Sequence, residues 1–237
     1  MTTSIADQST RELGGRTSIL TRQRRDHVEL GRLISAARAS EGDEQQEVLR
    51  RLCRLVFPHA FAEESVLFPA VRRLVPDAGD LALHIEQEHQ QVNELMTRLE
   101  RSRPGDQGRD ALLEEVFAVL SSDARDEEDR LLSRLQQHAS PSQLRRIGVL
   151  WELVRRTAPT RAHPVVARRP PGNVLAAPPL TLTDRTRDAL DAAALRGPAS
   201  TSGPLRAASQ GIAALAGRIE HLPPLRCGED PSTHRDG

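Results

Sequence analysis

Six residues between positions 27 and 127 carry side chains of the types that bind metal ions: His27, His59, Glu63, His89, Asp123 and Glu127. His59 and Glu63 are four positions apart, and so are Asp123 and Glu127. Residues at that spacing share one face of a helix and lie about 6 Å apart along its axis. Two such pairs on facing helices can enclose two metal ions about 3.5–4 Å apart, with carboxylates bridging and imidazoles terminal. Mixed imidazole and carboxylate donors suit iron or manganese, whereas structural zinc sites favour cysteine, which is absent from this set. Taken singly, each residue has a plainer reading. His27 could be a satisfied core histidine, Glu63 stands beside a second acid, Glu64, and Asp123 opens an acidic run ending at Asp129. What singles them out is that all fall near the middle of apolar helical stripes.

Those stripes define the elements that must hold the donors. Leu20, Leu30, Ile34 and Ala37 fit a helix over residues 17–40, with His27 midway between Leu20 and Ile34. Asp43 with Gln46 resembles a capped start for a second helix reaching Leu74. Its stripe is Val48, Leu52 and Leu55, then Val66, Ala70 and Leu74, with His59 and Glu63 in the gap. Pro58 lies inside this helix, where it removes a hydrogen bond and predicts a kink. A third helix carries Leu81, Ile85, Val92, Leu95 and Leu99 and closes at Pro104-Gly105; Glu88 falls on its stripe and His89 at its edge. A fourth carries Leu112, Val116, Leu120, Leu131 and Leu135, with Asp123 and Glu127 in the gap. Ser140-Pro141 with Gln143 predicts a capping box and a fifth helix ending near Arg156. Four long helices with short connections pack as an all-α, up-down-up-down four-helix bundle, with the fifth expected across one end. His84 and Glu88 make a further i, i+4 pair on the flank of the third helix, and are second-tier metal candidates. Glu88 and Asp26 are also placed to orient neighbouring imidazoles.

Composition limits the alternatives. The chain has 237 residues, 33 basic and 33 acidic, with four phenylalanines, one tryptophan and no tyrosine; every basic residue is arginine. So few aromatic side chains argue against a β-sandwich or barrel. Zero net charge argues against a protein that coats nucleic acid. Two cysteines cannot frame a disulfide-rich fold, and no apolar run reaches membrane-spanning length. A polar N-terminus without a signal-peptide core makes a soluble, cytoplasmic protein the expectation. Eleven of the 16 prolines fall after residue 157. The chain therefore divides into a flexible N-terminus (1–16), the bundle (17–156) and a Pro/Ala/Gly-rich extension (157–237). The extension is expected to be largely irregular, with short helices at 184–195 and 205–219 and little core.

At this point the sequence resembles the hemerythrin-like HHE cation-binding family. The segment His59-Ala60-Phe61-Ala62-Glu63-Glu64-Ser65-Val66-Leu67-Phe68-Pro69 looks like the family's second-helix motif; residues 25–30, around His27, resemble its first signature and residues 87–92, around His89, its third. Residues 157–164 look like an extension seen in actinobacterial members, and the all-arginine composition fits such a source. The resemblance implies a non-haem iron centre, dinuclear or mononuclear, that takes oxygen, peroxide or nitric oxide as its small ligand. It supplies no catalytic acid or base, so whether the protein is an enzyme stays open. One departure stands out: the fourth helix offers Asp123, where the family pattern has histidine. Three histidines with three carboxylates would favour ferric iron and oxidation or peroxide handling over reversible oxygen carriage. Alternatively, the shorter Asp123 weakens one metal position. The competing reading is a metal-depleted or iron-sensing regulatory module, whose proline-rich tail docks a partner.

Overall fold

The computed structural model describes residues 4–102 and 105–234, and among these it is helical throughout, with no strand. α1 (Ile19–Ala39) is followed by a long rod made of α2 (Gly42–Ala62), a π-helical turn (Glu63–Leu67) and α3 (Phe68–Leu74). α4 (Gly79–Arg101) comes next. A second composite rod follows: α5 (Arg109–Asp126), a π turn (Glu127–Leu131) and α6 (Leu132–His138). Pro104, read as part of the break after the third helix, lies outside the described residues.

Two apolar clusters show how the rods run. One joins Ile19 and Leu20 to Leu67–Val75 residues such as Phe68 and Val71, and to Leu81, Ile85, Leu131 and Leu135. The other joins Leu33 and Ile34 to Leu49 and Leu52, Val92 and Leu95, and Val116 and Leu120. The start of α1 thus meets α3, the start of α4 and α6. This is the expected up-down-up-down bundle, and the metal-binding residue types lie in a polar layer between its two cores.

Several local expectations change. Glu41, not Asp43, precedes the first turn of α2, and it makes no side-chain cap. Helix α2 continues through Pro58, and the irregularity comes five residues later, at the π turn. Pro69 helps to explain it: its nitrogen has no hydrogen for the carbonyl one turn back, and a widened turn removes the clash of its ring there. The matching turn at Glu127 has no such proline, and nothing in the structure explains it locally. Ser140 and Gln143 do form the reciprocal capping box at the start of α7 (Pro141–Thr157). However, α7 does not lie across an end. Its Gly148 sits directly on the backbone of residues 17–19, and Trp151 reaches the middle of the bundle, edge-on to His59 at 5.3 Å between ring centroids.

The extension is more ordered than the sequence suggests. The two short helices are parts of longer ones, α8 (Gly172–Arg196) and α9 (Ala199–Glu220). Prolines 178, 179 and 204 lie within them, and Pro178 is on an exposed side, where water can satisfy the carbonyl that loses its donor. A small core of Val166, Ala176, Leu180, Ala216 and Leu225 joins the pair. Within the extension, Asp184 accepts from the backbone N–H groups of Thr160 (2.8 Å) and Arg161 (3.0 Å). A buried polar contact attaches it to the bundle: Arg169 pairs with the buried Glu86 of α4 at 2.6 Å. At the other terminus Ile5 and Leu13 are fully buried.

Candidate metal centre

Helix register delivers the donors to the polar layer. His27 comes from α1, His59 from α2, His89 from α4, and each π turn begins with a glutamate, Glu63 or Glu127. His27, His59, Glu63 and Glu127 form one group whose donor atoms lie within 4.8 Å of one another; His89, Asp123 and Glu127 form a second. The two glutamates span both. Glu63 turns Oε1 to His59 Nε2 (3.1 Å) and Oε2 to His89 Nε2 (3.5 Å). Glu127 turns Oε2 to His27 Nε2 (3.1 Å) and Oε1 to His89 Nε2 (4.0 Å). Asp123 stands 3.7 Å from His89 Nε2.

All six residues anticipated as primary donors therefore meet in one layer. His84 and Glu88 do not join it: with Asp126 they make a separate, partly exposed group at the seam of α4 and α5. The orienting residues are also partly different from those expected. Asp26 does face His59 Nδ1, at 3.4 Å. Glu88 faces neither imidazole; Glu64 is 3.0 Å from His89 Nδ1, and Glu128 is 2.9 Å from His27 Nδ1. Each π turn thus supplies two consecutive glutamates, one to the centre and the next to the far side of an imidazole on a neighbouring helix. The doubled acids Glu63-Glu64 and Glu127-Glu128 were the available signal, since each pair follows a donor at the i+4 position. An acid on Nδ1 fixes the tautomer with its hydrogen there and leaves the Nε2 lone pair directed at the centre.

Charge in the layer is unbalanced for a protein interior. Burial would lower the histidines, but nearby carboxylates prevail: Glu63 and Asp26 raise His59 to about 9, Asp123 and Glu64 raise His89 to about 10, and Glu127 and Glu128 hold His27 well above its usual value. For Asp123, burial and the acids Glu127, Glu63 and Glu88 outweigh His89 and push its carboxyl well up. Burial and Glu63 likewise raise Glu127, whereas His59, His89 and His27 overcome burial and hold Glu63 low. Both oxygens of Glu63, both of Glu127 and Oδ1 of Asp123 are buried without a hydrogen bond. The imidazole nitrogens are within ion-pair distance of these oxygens but not aligned on them. Such a set of buried, unpaired acceptors is costly unless a cation satisfies it, and three imidazoles with three carboxylates fit iron or manganese.

The surroundings are apolar on one side. A cavity of about 30 Å³ lies beside the donors, walled by Leu30, Leu55, Val56, Phe57, Val92 and Leu120. Phe68 stacks on His89 instead, and Phe61 lines a second cavity, between the bundle and the extension.

Residues 18–135 match the family model described as Hemerythrin HHE cation binding domain. The bundle belongs to that family. The hemerythrin-like chain is also similar to an uncharacterized hemerythrin-like protein of Schizosaccharomyces pombe, 23% identical over 134 residues. That alignment covers 56% of this chain and 66% of the yeast protein. No solved structure gives a significant match. Among the described residues, no helix is long and apolar enough to cross a membrane.

Proposed function

We propose that this hemerythrin-like protein binds two iron ions in its polar layer and presents them to a small oxygen or nitrogen ligand. One position would be held by His27, His59, Glu63 and Glu127, and the other by His89 and Asp123 with the same two glutamates, which would serve both. The observation that carries this reading is the pair of glutamates, each with its two oxygens divided between the two histidine groups. Iron in such a site supplies redox chemistry and binds O2, peroxide or nitric oxide. The chain's own contributions are different. Asp26, Glu64 and Glu128 hold the imidazole tautomers, and the apolar wall keeps bulk water away. A buried water needs about 10–15 Å³ of such space, so the cavity has room for a molecule of about two heavy atoms beside the donors. Asp123 adds a third carboxylate, which favours ferric iron and inclines the centre toward peroxide handling or oxidation. The two cysteines are unpaired, in keeping with a reducing cytoplasmic setting.

Metal content tests this. Protein purified from iron-replete cells should carry about two iron atoms per chain and absorb between about 300 and 400 nm, as carboxylate- or oxo-bridged iron does. His59→Ala combined with Glu63→Ala should abolish iron binding. Full iron retention in that variant would refute the site, and a single equivalent in the unaltered protein would mean a mononuclear centre. Peroxide disproportionation, oxygen binding and nitric oxide binding, assayed side by side, then rank the ligands.

A further inference from the structure

The three histidines of the layer are not supported alike. His27 and His59 are backed by acids of the bundle itself, Glu128 and Asp26. His89 is backed by Glu64, and Glu64 in turn faces a cation from outside the bundle: Arg168 Nη1 lies 3.7 Å from Glu64 Oε1. Arg168, Glu64 and His89 are 7%, 1% and 3% exposed, so this row of charges is out of water. The arginine is anchored in the connection between α7 and α8, where its Nη2 donates to the carbonyls of His163 (2.8 Å) and Val166 (2.9 Å).

A second link reaches the same histidine. The backbone N–H of His163 donates to Asn93 Oδ1 at 2.9 Å, and Asn93 Nδ2 donates to the carbonyl of His89 at 2.9 Å. The His163 ring is held between Asp184 of α8 (3.1 Å) and Glu220 of α9 (2.9 Å). Asn93 and Glu64 also wall the cavity between bundle and extension.

We propose that the C-terminal extension is a working part of the His89 metal position, with Arg168 as a positioning residue that acts through Glu64. The inference rests on the two-ion reading above. A bare buried carboxylate behind Nδ1 would draw its proton strongly and make the imidazole a more anionic donor. Arg168 offsets that charge, so His89 stays a neutral ligand while the hydrogen bond is kept. Partners behind a ligating histidine change metal affinity by about 10–100-fold when they are lost. The structure assigns this control to the extension for one position only.

The test uses the full chain and two metal probes, Co(II) for stoichiometry and affinity and iron for reduction potential. Glu64→Gln removes the bundle acid that Arg168 faces, leaves that buried cation only partly offset by Glu229, and should weaken the second Co(II) equivalent by at least about 10-fold, with the first nearly unchanged. Adding Arg168→Met to it removes that cation and should recover most of the loss. Arg168→Met alone should lower the reduction potential of the iron centre, because an unscreened carboxylate favours the ferric state; Arg168→Lys should restore it. A merely structural role for Arg168 would shift both equivalents together and show no recovery in the double variant. Either of those results overturns the proposal, as does an unchanged potential in Arg168→Met. If Arg168→Met fails to fold, Glu64→Gln and Arg168→Lys still decide it: loss of both equivalents in Glu64→Gln overturns it. Failure of the unaltered protein to bind two ions would instead sink the function proposed above, and this inference with it.

Discussion

Replacing Asp123 with asparagine should stabilise the metal-free protein and weaken the metal-bound one. Asp123 has one attractive partner, His89 at 3.7 Å, which at an effective dielectric constant of 20 is worth roughly 4 kcal/mol if the imidazole is protonated. Against it stands Glu127, whose donor atom belongs to the same 4.8 Å group and so repels by at least about 3 kcal/mol. Glu63, Glu88 and the loss of hydration add to the unfavourable side, which is why the carboxyl is pushed well above its usual range. A carboxyl raised in this way destabilises the fold as pH rises past its value in the unfolded chain, about 4, and fully so above its own raised value; the penalty is relieved as pH falls back through that window. Asparagine removes the charge and keeps the shape. Urea unfolding of chelator-treated protein at pH 7 should therefore show the variant more stable by about 1–3 kcal/mol. With iron present the order should reverse, as one of two equivalents is lost. A less stable metal-free variant would refute the electrostatic argument. Two ions bound at undiminished affinity would show that Asp123 is not a ligand.

Two further outcomes follow from the extension and from α7. The His163 ring, raised to about 9 by Asp184 and Glu220 against the effect of burial, contributes stability that is complete below pH 6.5 and lost as pH rises through about 9. His163→Gln should thus cost up to about 3 kcal/mol near pH 6 and much less near pH 10, and a pH-independent difference in urea unfolding would contradict this. Gly148→Ala would place a Cβ 2.2 Å from the carbonyl oxygen of Thr17 and 2.6 Å from the nitrogen of Ile19. Backbone cannot yield as a side chain does, so α7 must shift, at a cost of about 1–3 kcal/mol. The emission of the single tryptophan should then move to the red as Trp151 leaves His59, and unchanged emission would mean that α7 is held elsewhere.

The donors were legible in the sequence because a carboxylate or imidazole in an apolar stripe breaks a simple rule, and the i, i+4 spacing fixes their shared face. Their orienting partners were less legible, because a π turn changes the helix without changing composition. Its trace survives in the rod of α2 and α3. The apolar positions expected beyond Glu63 were Val66, Ala70 and Leu74; Ala70 is buried as expected, yet the fully buried ones are Leu67, Phe68 and Val71, with Val66 and Leu74 only partly covered. The added residue in the turn has advanced the stripe by one position. At the same turns consecutive glutamates divide their roles, one facing the centre and the next the Nδ1 side of an imidazole on a neighbouring helix. In the extension, prolines concealed α8 and α9. Their support comes from Asp184, Asp188, Glu220 and Arg161, a buried ionic network that hydrophobic periodicity does not reveal.

The division of the bundle into two apolar cores bears on the order of assembly. Each end of the bundle has aliphatic and aromatic side chains from all four rods and can collapse without help from the layer between. A cation bound in the layer would therefore enter a container that already exists, unlike the ion of a zinc finger, around which the chain must fold. A chelator would empty such a protein without unravelling it, and the same molecules could be charged and discharged repeatedly. Loading, not folding, would then decide how much of the protein in a cell is competent at any moment.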